Sequence, residues 1–254
     1  SKTVYYCTDE WSEFPNLDAG FIQEKEAELL RQSDVVFVVS EKLRAMKNGQ
    51  NANTRLLPHG VNQALFAQAL SEDFPVADAL VGLPHPIIGF YGTLASWFDQ
   101  KLVAEIANLR PNWSIVLVGK TITDVTALRQ SSNIHIFEPC PHEQLPQFCK
   151  GFDVGIIPYS LHDPRMQSVS PVKLREYLAA GLPVVSTALP EARAASEAVL
   201  IAEGSEDFVQ KIEQALKQDS PTHKRQRSEQ MKLQSWKARV AEIDRILEEV
   251  PREA

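Results

Sequence analysis

The run Val35-Val36-Phe37-Val38-Val39 is apolar at five successive positions. Side chains along a strand alternate between the two faces of its sheet, so a strand built from this run has no face for water. Helices must therefore cover both sides. Similar short runs recur at Val4–Cys7, Ile87–Tyr91, Ile115–Val118, Ile134–Phe137, Val154–Ile157, Val184–Ser186 and Val199–Ala202, with helical segments between them. Buried strands alternating with helices predict an α/β chain with a doubly wound parallel sheet.

From Ile87 onward the alternation is complete. It predicts helices over Gln100–Asn108, His142–Lys150 and Pro171–Ala180, and five or six strands, enough for a Rossmann-like domain over 87–220. The first sixty residues offer two good strands and a weaker third, Thr54–Leu57, before the turn Pro58-His59-Gly60. That is too little for a closed domain and leaves three explanations: a truncated chain, which is preferred, strands from another chain, or strands donated to the larger sheet. Residues 61–86, an apolar patch among prolines, read as a linker and hinge. In the tail, 221–254, Met231, Leu233, Trp236, Val240, Ile243 and Leu247 form one helical stripe, predicting a helix that packs across both parts.

Composition removes several functions. No apolar stretch approaches the roughly 20 residues of a membrane span, and a formal charge of −7 argues against nucleic acid or a broad anionic surface as partner. Cys7, Cys140 and Cys149 lie far apart, suggesting neither a disulfide framework nor a thiolate metal cage; a reducing cytoplasm fits. The start reads as a strand edge without the regions of a signal peptide. No HExxH, GxSxG or Walker lysine loop occurs, so neither a metal nor a cofactor is expected.

The chemistry concentrates in Ser170-Pro171-Val172-Lys173-Leu174-Arg175-Glu176-Tyr177-Leu178-Ala179-Ala180-Gly181-Leu182-Pro183. Ser170 suits an N-cap, Pro171 the first helical position, Gly181 a left-handed terminus, and Pro183 prevents continuation. Free amides and the helix dipole at the start of this helix stabilise an anion such as a pyrophosphate, and Lys173 adds a mobile charge. Glu176, further in, suits a ribose diol, whose two hydroxyls donate to one carboxylate. The plainer alternative is a surface ion pair between Lys173 and Glu176, with caps that merely end a helix.

This block resembles the signature of the retaining, B-fold glycosyltransferases of the family 4 type (glycosyl transferases group 1), in which a glutamate before Ala-Gly-x-Pro-Val-Val holds the nucleotide ribose. Glu176 matches that position. Leu57-Pro58-His59-Gly60-Val61-Asn62 with Phe66 resembles the family's crossover between domains, and Ile88-Gly89-Phe90-Tyr91-Gly92-Thr93-Leu94 its first donor-domain strand and glycine loop. Val116–Lys120 and Asp153–Tyr159 are similar to two further strands, and Ser235-Trp236 with Arg239 to the closing helix. Two positions depart from the pattern. Ser168 stands where the family often has a second glutamate for the donor-sugar hydroxyls, and no cation follows Gly92 before Lys101, so that Lys120, Arg165 or Lys173 must replace the usual basic residues.

The resemblance implies a donor domain at 87–220 and, at 1–60, the remnant of an acceptor-side Rossmann-like domain. The implied diphosphate site is Gly92, Thr93, Lys120, Ser170, Pro171, Val172 and Lys173, with the ribose on Glu176 and the base along Pro139 and Cys140. Tyr159 and Ser168 would face the sugar. Asp9, ending the first strand, is the candidate for an acceptor contact or general base. Each has a bland counterpart: a glycine turn, a solvated lysine, a tyrosine that caps the core, a solvated aspartate. Cys140 has no neighbour that would lower its pKa and is not read as a nucleophile.

The activity implied is sugar transfer from a nucleoside diphosphate sugar to a hydroxyl acceptor with retention, in polysaccharide or glycoconjugate synthesis. UDP is favoured over GDP or dTDP, and the acceptor is lipid-linked or a glycan. The expected location is the cytoplasm, with peripheral association at the inner membrane face left open. This chain alone would bind donor without turnover. Two rivals stand beside this reading, a nucleotide-sugar epimerase or hydrolase of the same plan and a non-catalytic nucleotide-sugar-binding module.

Overall fold

The computed structural model describes residues 2–250; Ser1 and residues 251–254, at the ends of the first and last expected segments, lie outside the described residues. Strands β1 (Val4–Cys7), β2 (Val35–Val38) and β3 (Thr54–Leu56) form a parallel sheet in that order, with Val4 opposite Val35 and Val36 opposite Thr54. Helices α1 (Ala19–Gln32) and α2 (Glu41–Lys47) connect them, capped by the Asp18 and Ser40 side chains, which accept from the amides of Phe21 and Leu43. The all-apolar β2 is covered on both faces. Val36 and Val38 pack with Leu30 and Leu43, whereas Val35 and Phe37 pack with Leu57, Ile246 and Val250 of the tail.

The second sheet is parallel and six-stranded: β4 (Ile87–Tyr91), β5 (Ser114–Val118), β6 (Ile134–Phe137), β7 (Val154–Ile157), β8 (Val184–Thr187) and β9 (Val199–Ala202). Their spatial order is β6-β5-β4-β7-β8-β9, so the winding reverses between β4 and β7. Ligands of open α/β sheets bind at such a reversal, beyond the carboxyl ends of the strands. Helices α4 (Gln100–Leu109) and α8 (Gly204–Gln218) pack together on this sheet, and α5 (Leu145–Gly151) and α6 (Val172–Ala179) both pack against α3 (Gln63–Phe66). The short α7 (Pro190–Ala194) leads into β9.

Residues 61–86 lie against this larger unit. Val61, Phe66, Ala69, Ala77 and Leu80 are all in its core. The tail differs from the single stripe expected: α9 (Pro221–Gln230) packs on α6, a 3-10 turn follows, and Ser235 caps a separate helix, α10 (Trp236–Glu249). The break rotates the stripe out of register. Met231 is buried, but Leu233 is 79% exposed, and the buried face of α10 is carried by Ile246 with Ile243 and Leu247 beside it. No helix among the described residues is long and apolar enough to cross a membrane.

Candidate functional site

Strand β4 ends at the reversal in a glycine that the backbone requires. Gly92 has φ +138°, and Gly119, ending the neighbouring β5, has φ +146°. A Cβ on Gly119 would lie 2.2 Å from the Gly92 carbonyl oxygen, so the two strand ends meet backbone to backbone. A Cβ on Gly92 would sit 3.1 Å from Cε and 3.2 Å from Nζ of Lys173. The Lys173 ammonium thus rests directly over the glycine turn, its Nζ 5.2 Å from the Phe90 ring centroid and 4.8 Å from that of Tyr159, to whose hydroxyl it donates.

Helix α6 delivers this lysine, and its cap differs from the one expected. Pro171, not Ser170, is the N-cap residue, and its carbonyl accepts from Leu174. The Ser170 hydroxyl is buried and turned the other way, donating to Glu191 Oε1 at 3.2 Å and accepting from Arg175 at 3.2 Å. The ion pair between buried Arg175 and half-buried Glu191 supplies both partners, which outweigh a cap because they also satisfy the desolvated guanidinium. The first amides of the helix, Val172 and Lys173, have no carbonyl one turn back within it. Gly181 takes the left-handed conformation anticipated at the far end, φ +82°.

Glu176, three residues on from Lys173, is 6% exposed. Its Oε2 accepts from the Tyr91 hydroxyl at 2.9 Å and its Oε1 from His142 Nε2 at 2.7 Å. Burial, with Cys149 and Glu176 nearby, pushes the Tyr91 phenol well above its usual pKa, so Tyr91 remains a donor. The Tyr91 amide in turn donates to the buried Tyr177 hydroxyl at 3.0 Å, which fixes the end of β4. A surface pair between Lys173 and Glu176 is therefore not formed: each group has other partners.

The other anticipated residues divide. Thr93 is half-buried beside Gly92, and Lys120 is exposed, its carbonyl accepting from the Leu94 amide. Pro139 is exposed and Cys140 half-buried, in the loop that leads to His142. Burial raises the Cys140 thiol above its ordinary range, consistent with its being no nucleophile. Ser168 is buried and donates to the Arg165 carbonyl at 3.2 Å. Arg165 is not a free cation: Asp163 holds its guanidinium, which lies between the rings of Trp97 (4.8 Å) and Phe14 (5.3 Å). Tyr159 is 5% exposed, its ring edge-to-face with Phe90 and its hydroxyl on Lys173, so it caps the core and reaches the lysine at once.

On the other sheet, burial raises the carboxyl pKa of Asp9 above its usual value, just beyond β1. Its neighbour Glu10 is pinned: Lys47 donates to Glu10 at 2.5 Å and to Glu26 at 2.6 Å, all three side chains buried. Burial opposes the charge on Glu10, yet the bonds from Lys47 and Ser12 hold its carboxyl below the ordinary range. A hollow of about 640 Å³ opens behind α6, lined by Arg175, Leu178, Glu191, Ser196 and Gln230; Gly92, Lys173 and Glu176 do not line it. Lys173 and Glu176 thus lie on the other side of α6 from this hollow.

Residues 85–218 match the family described as Glycosyl transferases group 1. The chain belongs to that family. It is 28% identical over 263 residues to TuaH of Bacillus subtilis (strain 168), named as a glycosyltransferase of teichuronic acid biosynthesis; the match takes in 95% of this chain and 66% of TuaH. The chain thus spans slightly less than two thirds of that relative. Among solved structures, Anabaena Alr3699/HepE in complex with UDP and glucose superposes with TM-score 0.73 at 14% identity, over 96% of this chain and 71% of the other. Sucrose-phosphate synthase from Thermosynechococcus elongatus gives 0.70 at 17% identity, over 97% and 67%. These likenesses establish the two-sheet B-type fold for this group 1 glycosyltransferase chain.

Proposed function

We propose that the chain is the donor-binding part of a retaining glycosyltransferase that takes a sugar from a nucleoside diphosphate sugar, UDP first, and passes it to a hydroxyl acceptor in polysaccharide assembly. The observation that carries this reading is one helix holding both halves of a nucleotide site: Lys173 over the Gly92 turn at the start of α6, and the buried Glu176 carboxylate one turn on. The diphosphate lies on the turn Ser170–Lys173 and on Gly92 and Thr93, with Lys120 at the rim. Charge grows on that diphosphate as the bond to the anomeric carbon breaks, so preorganised amides and a fixed ammonium favour the departing state over the bound substrate. The ribose hydroxyls donate to Glu176, and the base lies along Pro139 and Cys140. Tyr159 and Ser168 border the sugar, while Asp9 faces it from the other sheet and receives the acceptor hydroxyl.

The teichuronic acid name of TuaH and the UDP held by Alr3699/HepE support the polymer and the nucleotide, respectively. Ser168 in place of a second glutamate favours one other reading, a module that binds nucleotide sugar without transferring it. Calorimetry with UDP, GDP, ADP and dTDP separates the parts of this proposal. One nucleotide, expected to be UDP, binds clearly, and Glu176→Ala weakens it by roughly 1.5 to 3 kcal/mol, the scale of lost charge-assisted hydrogen bonds. Equal binding by both proteins would remove Glu176 from the ribose. Binding by the natural protein, with no transfer to any glycan acceptor, would select the non-catalytic module.

A further inference from the structure

The structure assigns a positioning role to His142, resting on the reading of Glu176 as the ribose ligand: the imidazole orients the Glu176 carboxylate so that one free lone pair on each oxygen meets the two ribose hydroxyls. A carboxylate offers about four acceptor positions, two per oxygen. Tyr91 takes one on Oε2 and His142 one on Oε1. Two remain, one on each oxygen, and a ribose 2′,3′-diol has two O–H donors to fill them.

The two existing donors differ in placement. Tyr91 is 4% exposed, anchored inside the sheet, whereas the His142 side chain is 50% exposed. With Oε1 as acceptor, the proton of that bond is on Nε2. The ring is also braced edge-on against Phe66, with centroids 5.4 Å apart and planes at 69°. Phe66 is fully buried and belongs to α3, which packs between α5 and α6. The imidazole therefore cannot turn freely, and the carboxylate it holds cannot rotate about its terminal torsion without losing both donors.

Position in the chain adds a second consequence. His142 follows Pro139-Cys140-Pro141 directly, the loop read as lying along the base. The same short segment thus reaches the base with its backbone and the ribose ligand with its side chain. Displacement of that loop is felt at the ribose through a single hydrogen bond.

The test uses the whole chain and the nucleoside diphosphate that binds best in the panel, with the 2′,3′-dideoxy form of the same nucleotide as probe. His142→Ala is expected to raise the Kd of the ribonucleotide by about 5- to 20-fold, the scale of one charge-assisted hydrogen bond. His142→Gln, whose side-chain amide reaches the position of Nε2, restores most of the loss. For the dideoxy nucleotide the wild type and His142→Ala bind alike, because the oriented lone pairs have nothing to receive. In the Glu176→Ala background, His142→Ala adds no further loss. An unchanged ribonucleotide Kd, or an equal loss with both nucleotides, overturns the positioning role. If Glu176→Ala binds the ribonucleotide as tightly as wild type, the ribose reading fails first and this inference with it.

Discussion

The proposed diphosphate site depends above all on Lys173, which lies over the Gly92 turn. Its Nζ is held by the Tyr159 hydroxyl and by two aromatic faces, all of which leave the charge itself uncompensated. Lys173→Met keeps the length and removes the charge. It is expected to weaken a nucleoside diphosphate by about 1 to 3 kcal/mol while leaving the unphosphorylated nucleoside unaffected, as calorimetry with the pair would measure. An equal loss for both ligands would mean that the lysine serves packing instead. His59 carries a different kind of expectation. Burial first, and then Arg175, push its pKa from 6.5 down to about 4. The unfolded chain takes up the proton at the ordinary value, so between those two values unfolding binds it and folding excludes it. Stability is therefore intact above the window and declines as pH falls through it, by on the order of 3 kcal/mol for this residue. Urea unfolding across that range should show the decline in wild type and a shallower one in His59→Gln; identical slopes would exclude His59 as its source.

At the scale of elements, what the sequence made legible is what local grammar governs. Helix α6 follows from its proline start and glycine stop, β2 from five apolar residues in a row, and Gly92 from its place at a strand end. Glu176 was legible through motif alone, since nothing local says that a helical carboxylate is buried. Its partners were not legible. Tyr91 lies 85 residues away and His142 34, and no local rule links residues at such separations. Ser170 was misread for the same reason: a serine before a proline is a good cap until an arginine 5 residues on and a glutamate 21 residues on compete for its hydroxyl. The tail break did have a local sign, Ser235, whose side chain caps the Ala238 amide, but the apolar spacing across it concealed the change of helix. The meeting of β4 and β5 at two glycines gives an element-scale prediction. Gly119→Ala forces a Cβ against the Gly92 carbonyl at an unfavourable φ, and is expected to cost about 2 to 4 kcal/mol in denaturant unfolding. Gly49→Ala, with nothing within 4 Å of the new carbon, serves as the control and should change stability little.

For the molecule as a whole, the small sheet depends on the far end of the chain. Val35 and Phe37 on β2 find their cover in Ile246 and Val250, more than two hundred residues later, and not in the helices next to them in sequence. Ile246→Asp puts a charge into that contact, and a loss of about 3 kcal/mol is expected, concentrated in β1–β3. Hydrogen exchange should show faster exchange there with β4–β9 protected as before; a uniform rise over both sheets would show that the two units unfold as one. Arg165, between Phe14 and Trp97, ties the segment after β1 to the segment after β4. Deeper in, the polypeptide passes from one sheet to the other twice, at the crossover after β3 and again before α10. Those passages are laced together: the Val61 amide donates to Gln234 at 3.0 Å, the Trp236 amide to Val61 at 3.2 Å, and the Trp236 ring covers Gly60. Two strands of chain pinned at a common point restrict what the halves can do. To draw the small sheet away from the large one, both passages would have to come undone together, because each is the other's hydrogen-bonding partner.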